Sequence, residues 1–153
     1  HSSNYTEGAL ICIQARQLGF SGPLFGGDAW EAPQLIEIGG AAVEGTYYST
    51  HASPESTAPE MQNFIRHYRA RWDQETPDSI AALGYDAARL LFDSLRRAAA
   101  TDGEKLRTAI ATTTDFPGVT GRITIDAQRN ATKSAVILTV KNGRFAYVET
   151  VDP

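Results

Sequence analysis

The fold is decided in residues 22–49, which read GPLFGGDAWEAPQLIEIGGAAVEGTYYS. Leu24–Phe25 begins a short strand, and the two glycines before Asp28 end it where the backbone must bend sharply. Pro33 suits the first turn of a helix, and a glycine pair suits its end. A second strand is predicted at Gly45–Ser49. Asp28 is therefore expected at the carboxyl end of the first strand.

A helix is predicted before this stretch. Asn4 followed by Glu7 is a variant of the capping box, and Gly19 is a good residue just past a helix end. We therefore predict a helix from Tyr5 to Leu18. Strands and helices that alternate favour a parallel sheet with helices on its faces, which is an α/β fold. Such folds bind ligands at the carboxyl ends of their strands.

The middle of the chain is predicted to be helical. Ser49–Ala58 has no apolar periodicity and is the best candidate boundary between two packed regions. Thr57 with Glu60 predicts a capping box, and Asp102 predicts the cap of a later helix. Two helices are expected to bury apolar stripes, namely Met61, Phe64, Ile65, Tyr68 and Trp72, and then Ile80, Leu83, Ala87, Leu90, Leu91, Leu95 and Ala98.

The last part of the chain returns to a strand pattern. Ile123 and Ile125 alternate with polar residues, and Ala135–Val140 has the composition of a buried strand. Asn142-Gly143 is the strongest short hairpin signal. The chain is therefore expected to end in strands.

Composition excludes some classes of function. The 153 residues include 14 Lys and Arg against 18 Asp and Glu, a net charge of −4, so there is no broad basic face for nucleic acid. The longest apolar stretches are far short of the roughly 20 residues that span a bilayer. A single cysteine, Cys12, cannot form an internal disulfide and does not indicate a compartment.

The sequence contains no catalytic constellation. His1, His51 and His67 lie far apart, with no i, i+4 spacing and no Cys partner, so neither a metal site nor a cofactor is expected. Gly26-Gly27-Asp28 lacks the full dinucleotide fingerprint. Glycines beside a carboxylate let the backbone approach a ligand while the carboxylate receives an ammonium group. A plain helix-initiating aspartate explains the same residues equally well.

Several segments, in order, resemble one family. They are Tyr5–Leu10, Gln14-Ala15-Arg16, Leu18-Gly19, Gly26–Trp30, Gly39–Tyr48, Phe64–Tyr68, Ala82–Ala87, Phe116–Gly121 and Ile123–Asp126. This set is similar to the Leu/Ile/Val-binding (branched-chain amino acid) family of type I periplasmic binding proteins of ABC transporters. The resemblance covers essentially the whole chain, and the order of the segments is more specific than any one motif.

The resemblance implies an α/β fold with two lobes, each a flavodoxin-like parallel sheet with flanking helices. This chain would be the later, C-terminal half, and therefore an incomplete fragment of that fold. Residues 1–50 would be part of the second lobe, residues 51–120 the helical later part of the first lobe, and residues 121–153 terminal strands that return to the second lobe.

The resemblance also implies ligand-binding residues. Asp28 matches the acidic position that receives the α-ammonium group of the ligand. Asn4 stands where the family often has a Tyr that covers the ligand, and Tyr5 is a candidate substitute. Ile80 matches a position that can border the ligand side chain, although a place in the helix core explains it equally well.

The function implied is an extracytoplasmic, or periplasmic, solute-binding protein that delivers an amino acid or a related small molecule to the membrane permease of an ABC importer. The alternative is a ligand-sensing regulatory or receptor domain of the same fold. An enzyme is not expected, because neither paired perturbed carboxylates nor a His base nor a phosphate loop is present. The apolar stripes of the two long helices predict that the fragment self-associates.

Overall fold

A computed structural model describes residues 3–99 and 101–153. The helices are α1 (Tyr5–Gln17), α2 (Pro33–Gly39), α3 (Pro59–Arg71), α4 (Ser79–Ala98) and α5 (Gly103–Ala111). The strands are β1 (Phe25–Gly26), β2 (Tyr47–Thr50), β3 (Phe116–Gly118), β4 (Gly121–Ile125), β5 (Ala131–Thr132), β6 (Ala135–Lys141) and β7 (Arg144–Val151). None of the helices in these described ranges combines the length and the apolar character needed to cross a membrane.

The chain folds as two compact units. The first unit contains the described residues up to Ser53 together with Ala135–Val151, and the second contains Pro54–Ser134 with the last two residues. The chain first passes from one unit to the other between Ser53 and Pro54, within the connection Ser49–Ala58. The chain returns to the first unit after Ser134, and β3 and β4 pair with each other within the second unit. The assignment of residues 1–50 and 121–153 to one lobe and of residues 51–120 to the other stays a prediction.

The sheet of the first unit has the order β1-β2-β6-β7. β1 and β2 are parallel neighbours with Phe25 opposite Tyr47, while β6 is antiparallel to both β2 and β7. The predicted β6–β7 hairpin is confirmed, and Asn142 and Gly143 have φ angles of +54° and +66°, as a tight hairpin turn requires. The strand–helix–strand order and the parallel β1–β2 pair agree with the predicted α/β class.

The core of the first unit surrounds Trp30, which is only 1% exposed. A Cβ atom on Gly8 would come to 2.6 Å from the Trp30 indole nitrogen, and one on Gly26 would overlap the indole ring. These two glycines thus let α1 and β1 approach the indole. The other members of the core are Ala9, Cys12, Leu35, Val43, Tyr48, Val136, Leu138 and Val140.

The second unit is organised around a buried carboxylate on α4. Asp86 is 2% exposed and accepts hydrogen bonds from the Val119 amide at 2.7 Å, the Thr120 amide at 2.9 Å and the Thr120 hydroxyl at 2.8 Å. At the end of the same helix, the Arg97 guanidinium donates to the Ala109 carbonyl and to the Thr113 hydroxyl. These bonds connect α4 to the β3–β4 hairpin and to α5.

The predicted apolar stripes fit α3 better than α4. On α3, Met61, Phe64 and Ile65 are buried, although Trp72 is 52% exposed. On α4 the prediction is wrong for the end of the stripe that carries Ile80, which is 62% exposed. The residues that α4 buries are instead small or polar, namely Ser79, Ala82, Asp86 and Ser94.

A capping hydrogen bond forms at one of the three helix starts where the sequence predicted it, and also at the start of α4, where none was predicted. Asp102 caps α5 as predicted, and Asp78 caps α4 by accepting from the Ala81 amide. Asn4 does occupy the N-cap position of α1, but its side chain makes no capping hydrogen bond. The predicted Thr57 box of α3 is also wrong, because Pro59 starts the helix and Ala58 occupies the cap position.

Candidate functional site

Asp28 follows β1 and opens a 3₁₀ turn that runs to Trp30. The Trp30 ring at the end of the turn is buried in the core. A hydrogen bond from the Trp30 amide to the Gly27 carbonyl, 3.0 Å long, closes the turn. The Asp28 side chain is 53% exposed. The predicted position, an exposed carboxylate just beyond the carboxyl end of a strand, is confirmed.

A histidine stands beside this carboxylate. His51 directly follows β2, the parallel neighbour of β1, so both residues lie at the same edge of the sheet. The His51 Nε2 atom is 3.0 Å from Asp28 Oδ2, and the Ala29 amide donates to Asp28 Oδ1 at 3.0 Å. Both carboxylate oxygens therefore have a partner, and each retains a lone pair for a further donor.

A second carboxylate lies on the adjoining segment. The Thr50 hydroxyl donates to the carboxylate of Glu31, which follows the 3₁₀ turn. Burial raises the pKa of the Tyr48 phenol, and the negative charge of Glu31 raises it further, so Tyr48 stays neutral. Asp28 and Glu31 give this edge of the sheet negative charge, which suits a cationic group of a ligand better than an anionic one.

The remaining predicted site residues are placed as follows. Asn4 is exposed at the start of α1, and Tyr5 is partly buried against the core of the first unit. The first turn of α1 lies close to the 3₁₀ turn, because Gly8 meets the Trp30 indole. Ile80 lies on α4 in the second unit. The ligand-binding roles of Asn4, Tyr5 and Ile80 stay predictions.

His51 and Glu31 are partners in this site that the sequence did not predict. The sequence pattern places His51 in an irregular connection and gives it no role beside Asp28. Its position just after the second strand, matching that of Asp28 after the first, is the signal that could have identified it. Within residues 3–99 and 101–153, no cluster of three or more His, Cys, Asp or Glu side chains could hold a metal ion.

A groove of about 800 Å³ lies elsewhere on the first unit and contains neither Asp28 nor His51. Its walls include the side chains of Phe25, Tyr47, Ile137 and Val148 on the sheet. Phe25 is 61% exposed and stacks on Tyr47 with ring centroids 5.7 Å apart. The lining also includes the charged residues Arg16, Glu44 and Glu149. It does not include the residues that directly follow β1 and β2, where folds of this class bind ligands, so we place the candidate site at Asp28.

Known proteins are similar to this chain in sequence and in fold. A family model described as periplasmic binding protein matches residues 3–144. The leucine-binding protein LivK of Thermotoga maritima is 42% identical, with a TM-score of 0.90 over 99% of this chain and 43% of its own. The branched-chain amino acid binding protein LivJ of Streptococcus pneumoniae, solved with isoleucine, is 30% identical, with a TM-score of 0.84 over 99% and 43%.

A more distant structure shares the fold alone. The solute-binding protein of R. palustris, solved with benzoate, is 20% identical, with a TM-score of 0.74 over 95% of this chain and 40% of its own. The comparison with curated proteins gave no match.

The chain spans less than half the length of each of these three structures. The matched family is described as periplasmic binding protein, and LivK and LivJ are named as binding proteins rather than enzymes, which agrees with the expectation that this chain is not an enzyme. Because the family model matches residues 3–144 and LivK is 42% identical over 99% of this chain, the chain belongs to the periplasmic binding protein family.

Proposed function

We propose that the protein binds an amino acid or a related small molecule with an amino group, and that Asp28 receives the ammonium group. The observation that carries this proposal is the Asp28 carboxylate itself, exposed beyond the end of β1 and oriented by two donors. A carboxylate that is fixed before the ligand arrives loses little conformational entropy on binding. A charge-assisted bond to an ammonium group is roughly twice as strong as a neutral one.

The relatives support an amino-acid ligand. LivK, which is 42% identical to this chain, is a leucine-binding protein. LivJ, which is 30% identical, was solved with isoleucine. From these relatives we propose delivery of the solute to the permease of an ABC importer, and with it an extracytoplasmic location. We also propose that residues 1–50 and 121–153 belong to the second lobe of such a protein and residues 51–120 to the first.

Calorimetry on the intact gene product that contains this chain tests the proposal. Leucine and isoleucine are titrated into the wild type, Asp28→Asn and the control Glu37→Gln, which removes a negative charge from an exposed site on α2. Asp28→Asn is expected to weaken binding by about 2–5 kcal/mol, because it removes one side of an enclosed charge pair. Glu37→Gln should leave the affinity unchanged.

A titration with benzoate extends the same experiment, because the R. palustris protein of this fold was solved with that ligand, which has no amino group. We expect benzoate to bind far more weakly than leucine. Unchanged leucine affinity in Asp28→Asn, or benzoate bound more tightly than either amino acid, would contradict the proposed role of Asp28.

We also propose that this chain, when isolated, associates with a second copy through α4. The apolar face of α4 consists of Ile80, Ala87, Ala88, Leu91 and Phe92, which are all exposed. A Cβ atom added at Gly84, between the first two of these residues, would meet nothing within 4 Å. A contiguous apolar surface of this kind is rare on soluble monomers.

A further inference from the structure

His51 stands at hydrogen-bond distance from the carboxylate to which the proposed function assigns the ligand ammonium group. The His51 Nε2 atom lies 3.0 Å from Asp28 Oδ2, and the two side chains are 38% and 53% exposed. The pair is therefore accessible enough for the imidazole to exchange protons with solvent. It also lies at the sheet edge where a ligand is expected.

The fold brings these two side chains together from separate segments. Parallel pairing places Gly26 opposite Tyr48, so the residues that follow β1 and β2 leave the sheet side by side. The Ala29 amide, from the same turn, donates to Asp28 Oδ1. The imidazole supplies the second support, from the neighbouring strand.

We propose that His51 is a positioning residue for Asp28 and makes recognition of the ligand ammonium group dependent on pH. This inference rests on the proposed function. A neutral imidazole donates through Nε2–H and leaves the full negative charge of Asp28 for the ligand. An imidazolium at the same position neutralises that charge and competes with the ammonium group for it.

Histidine is the side chain whose ordinary titration falls between about pH 5 and pH 8, so the competition should appear as the solution is acidified. Other titratable groups of the first unit lie on or beside the same segments, among them Tyr47 and Tyr48 on β2 and Glu31 just after the 3₁₀ turn. The carboxylate of Glu31 accepts a hydrogen bond from Thr50, the residue before His51. The buried phenol of Tyr48 stays neutral because burial raises its pKa.

The experiment compares leucine dissociation constants of the intact gene product at about pH 7.5 and about pH 5.5, which bracket the titration of histidine. For the wild type we expect the dissociation constant to rise about fivefold or more on acidification, since opposite charges at this separation interact appreciably near a protein surface. The matched control is His67→Gln, which makes the same change at an exposed position on α3 and should keep the full pH dependence.

Two variants of His51 separate positioning from charge. His51→Gln can still donate to Asp28 but does not titrate, so we expect roughly threefold weaker binding at about pH 7.5 and little further change on acidification. His51→Lys carries a permanent positive charge and should bind leucine at about pH 7.5 as poorly as the acidified wild type. Thermal unfolding of each variant establishes that it is folded before titration.

The outcomes distinguish this inference from the proposed function. A wild type with no pH dependence, a His51→Gln variant that keeps the wild-type dependence, or a His51→Lys variant with wild-type affinity would overturn the role of His51. If leucine still bound in those cases and Asp28→Asn still weakened that binding, the proposed function would stand. If the folded wild type bound no amino acid at either pH, the proposed function would fail and this inference with it.

Discussion

At the scale of single residues, Trp30 connects the core of the first unit to its candidate site. The indole ring is buried between α1 and β1, and Asp28 begins the short turn that ends at this residue. Because Trp30 cannot move without disrupting the core, the backbone that carries Asp28 is held in place. The position of the carboxylate to which we assign the ligand ammonium group therefore depends on apolar packing one turn away.

Gly26→Ala tests this connection. The added methyl group would overlap the Trp30 ring, so we expect a loss of about 1–3 kcal/mol in the free energy of unfolding, which is the usual cost of overpacking a core. The measurement is urea unfolding followed by Trp fluorescence. Gly27→Ala is the matched control, since a Cβ atom there would meet nothing within 4 Å. Equal stability of the two variants would show that the Trp30 packing does not fix this turn.

The sequence predicted one half of the candidate site and missed the other. Asp28 was predictable because the glycines before it mark the end of a strand, and strand ends are where such folds bind ligands. His51 was not, because its role depends on β1 and β2 being parallel neighbours in register, which is long-range information. Local patterns identify the residues that follow a strand, but not which two strands meet.

At the scale of secondary structure, α4 shows where periodicity fails. The apolar positions of this helix were predicted to face a core, yet several of them are exposed, and the helix buries Ala82, Asp86 and Ser94. The physical reason is that Asp86 and Arg97 bind backbone and hydroxyl groups of the β3–β4 hairpin and the end of α5. Periodicity reports that a helix has an apolar face, but it does not report which face is covered within this chain.

The apolar face of α4 makes a testable prediction about association. At micromolar concentration the isolated chain of 153 residues should scatter light with the mass of a dimer. Leu91→Lys should convert it to a monomer, because a charge in the centre of an apolar contact cannot be solvated there. Leu18→Lys is the control, since Leu18 is 88% exposed and belongs to the first unit, whereas α4 belongs to the second.

A monomeric wild-type chain would contradict this prediction, as would dimers of unchanged stability in Leu91→Lys. The outcome bears on α4 alone. Residues of α3 on the predicted stripe, among them Met61 and Phe64, are already buried and leave much less apolar surface to cover.

At the scale of the whole molecule, the fold restricts the type of ligand less than the site does. Structures of this fold have been solved with isoleucine and with benzoate, and only the first of these ligands has an amino group. The scaffold therefore accepts solutes of different charge. In this chain we propose that the carboxylate of Asp28, just beyond the end of β1, selects a ligand with an amino group.

The length of the chain determines how this account must be tested. It spans 43% of the leucine-binding protein LivK, so binding of a solute has to be measured on the intact gene product rather than inferred from these residues alone. The sequence predicted the α/β class, the α1 helix, the β6–β7 hairpin and the connection near Ser53. These features were predictable because each is encoded by local turn and periodicity signals.

The most direct test of the central claim is a crystal structure of the intact gene product grown with leucine. We expect the leucine ammonium nitrogen within about 3.2 Å of an Asp28 carboxylate oxygen, with His51 still donating to the same carboxylate. Leucine bound with its ammonium group on other residues, while Asp28 faces solvent, would contradict the account.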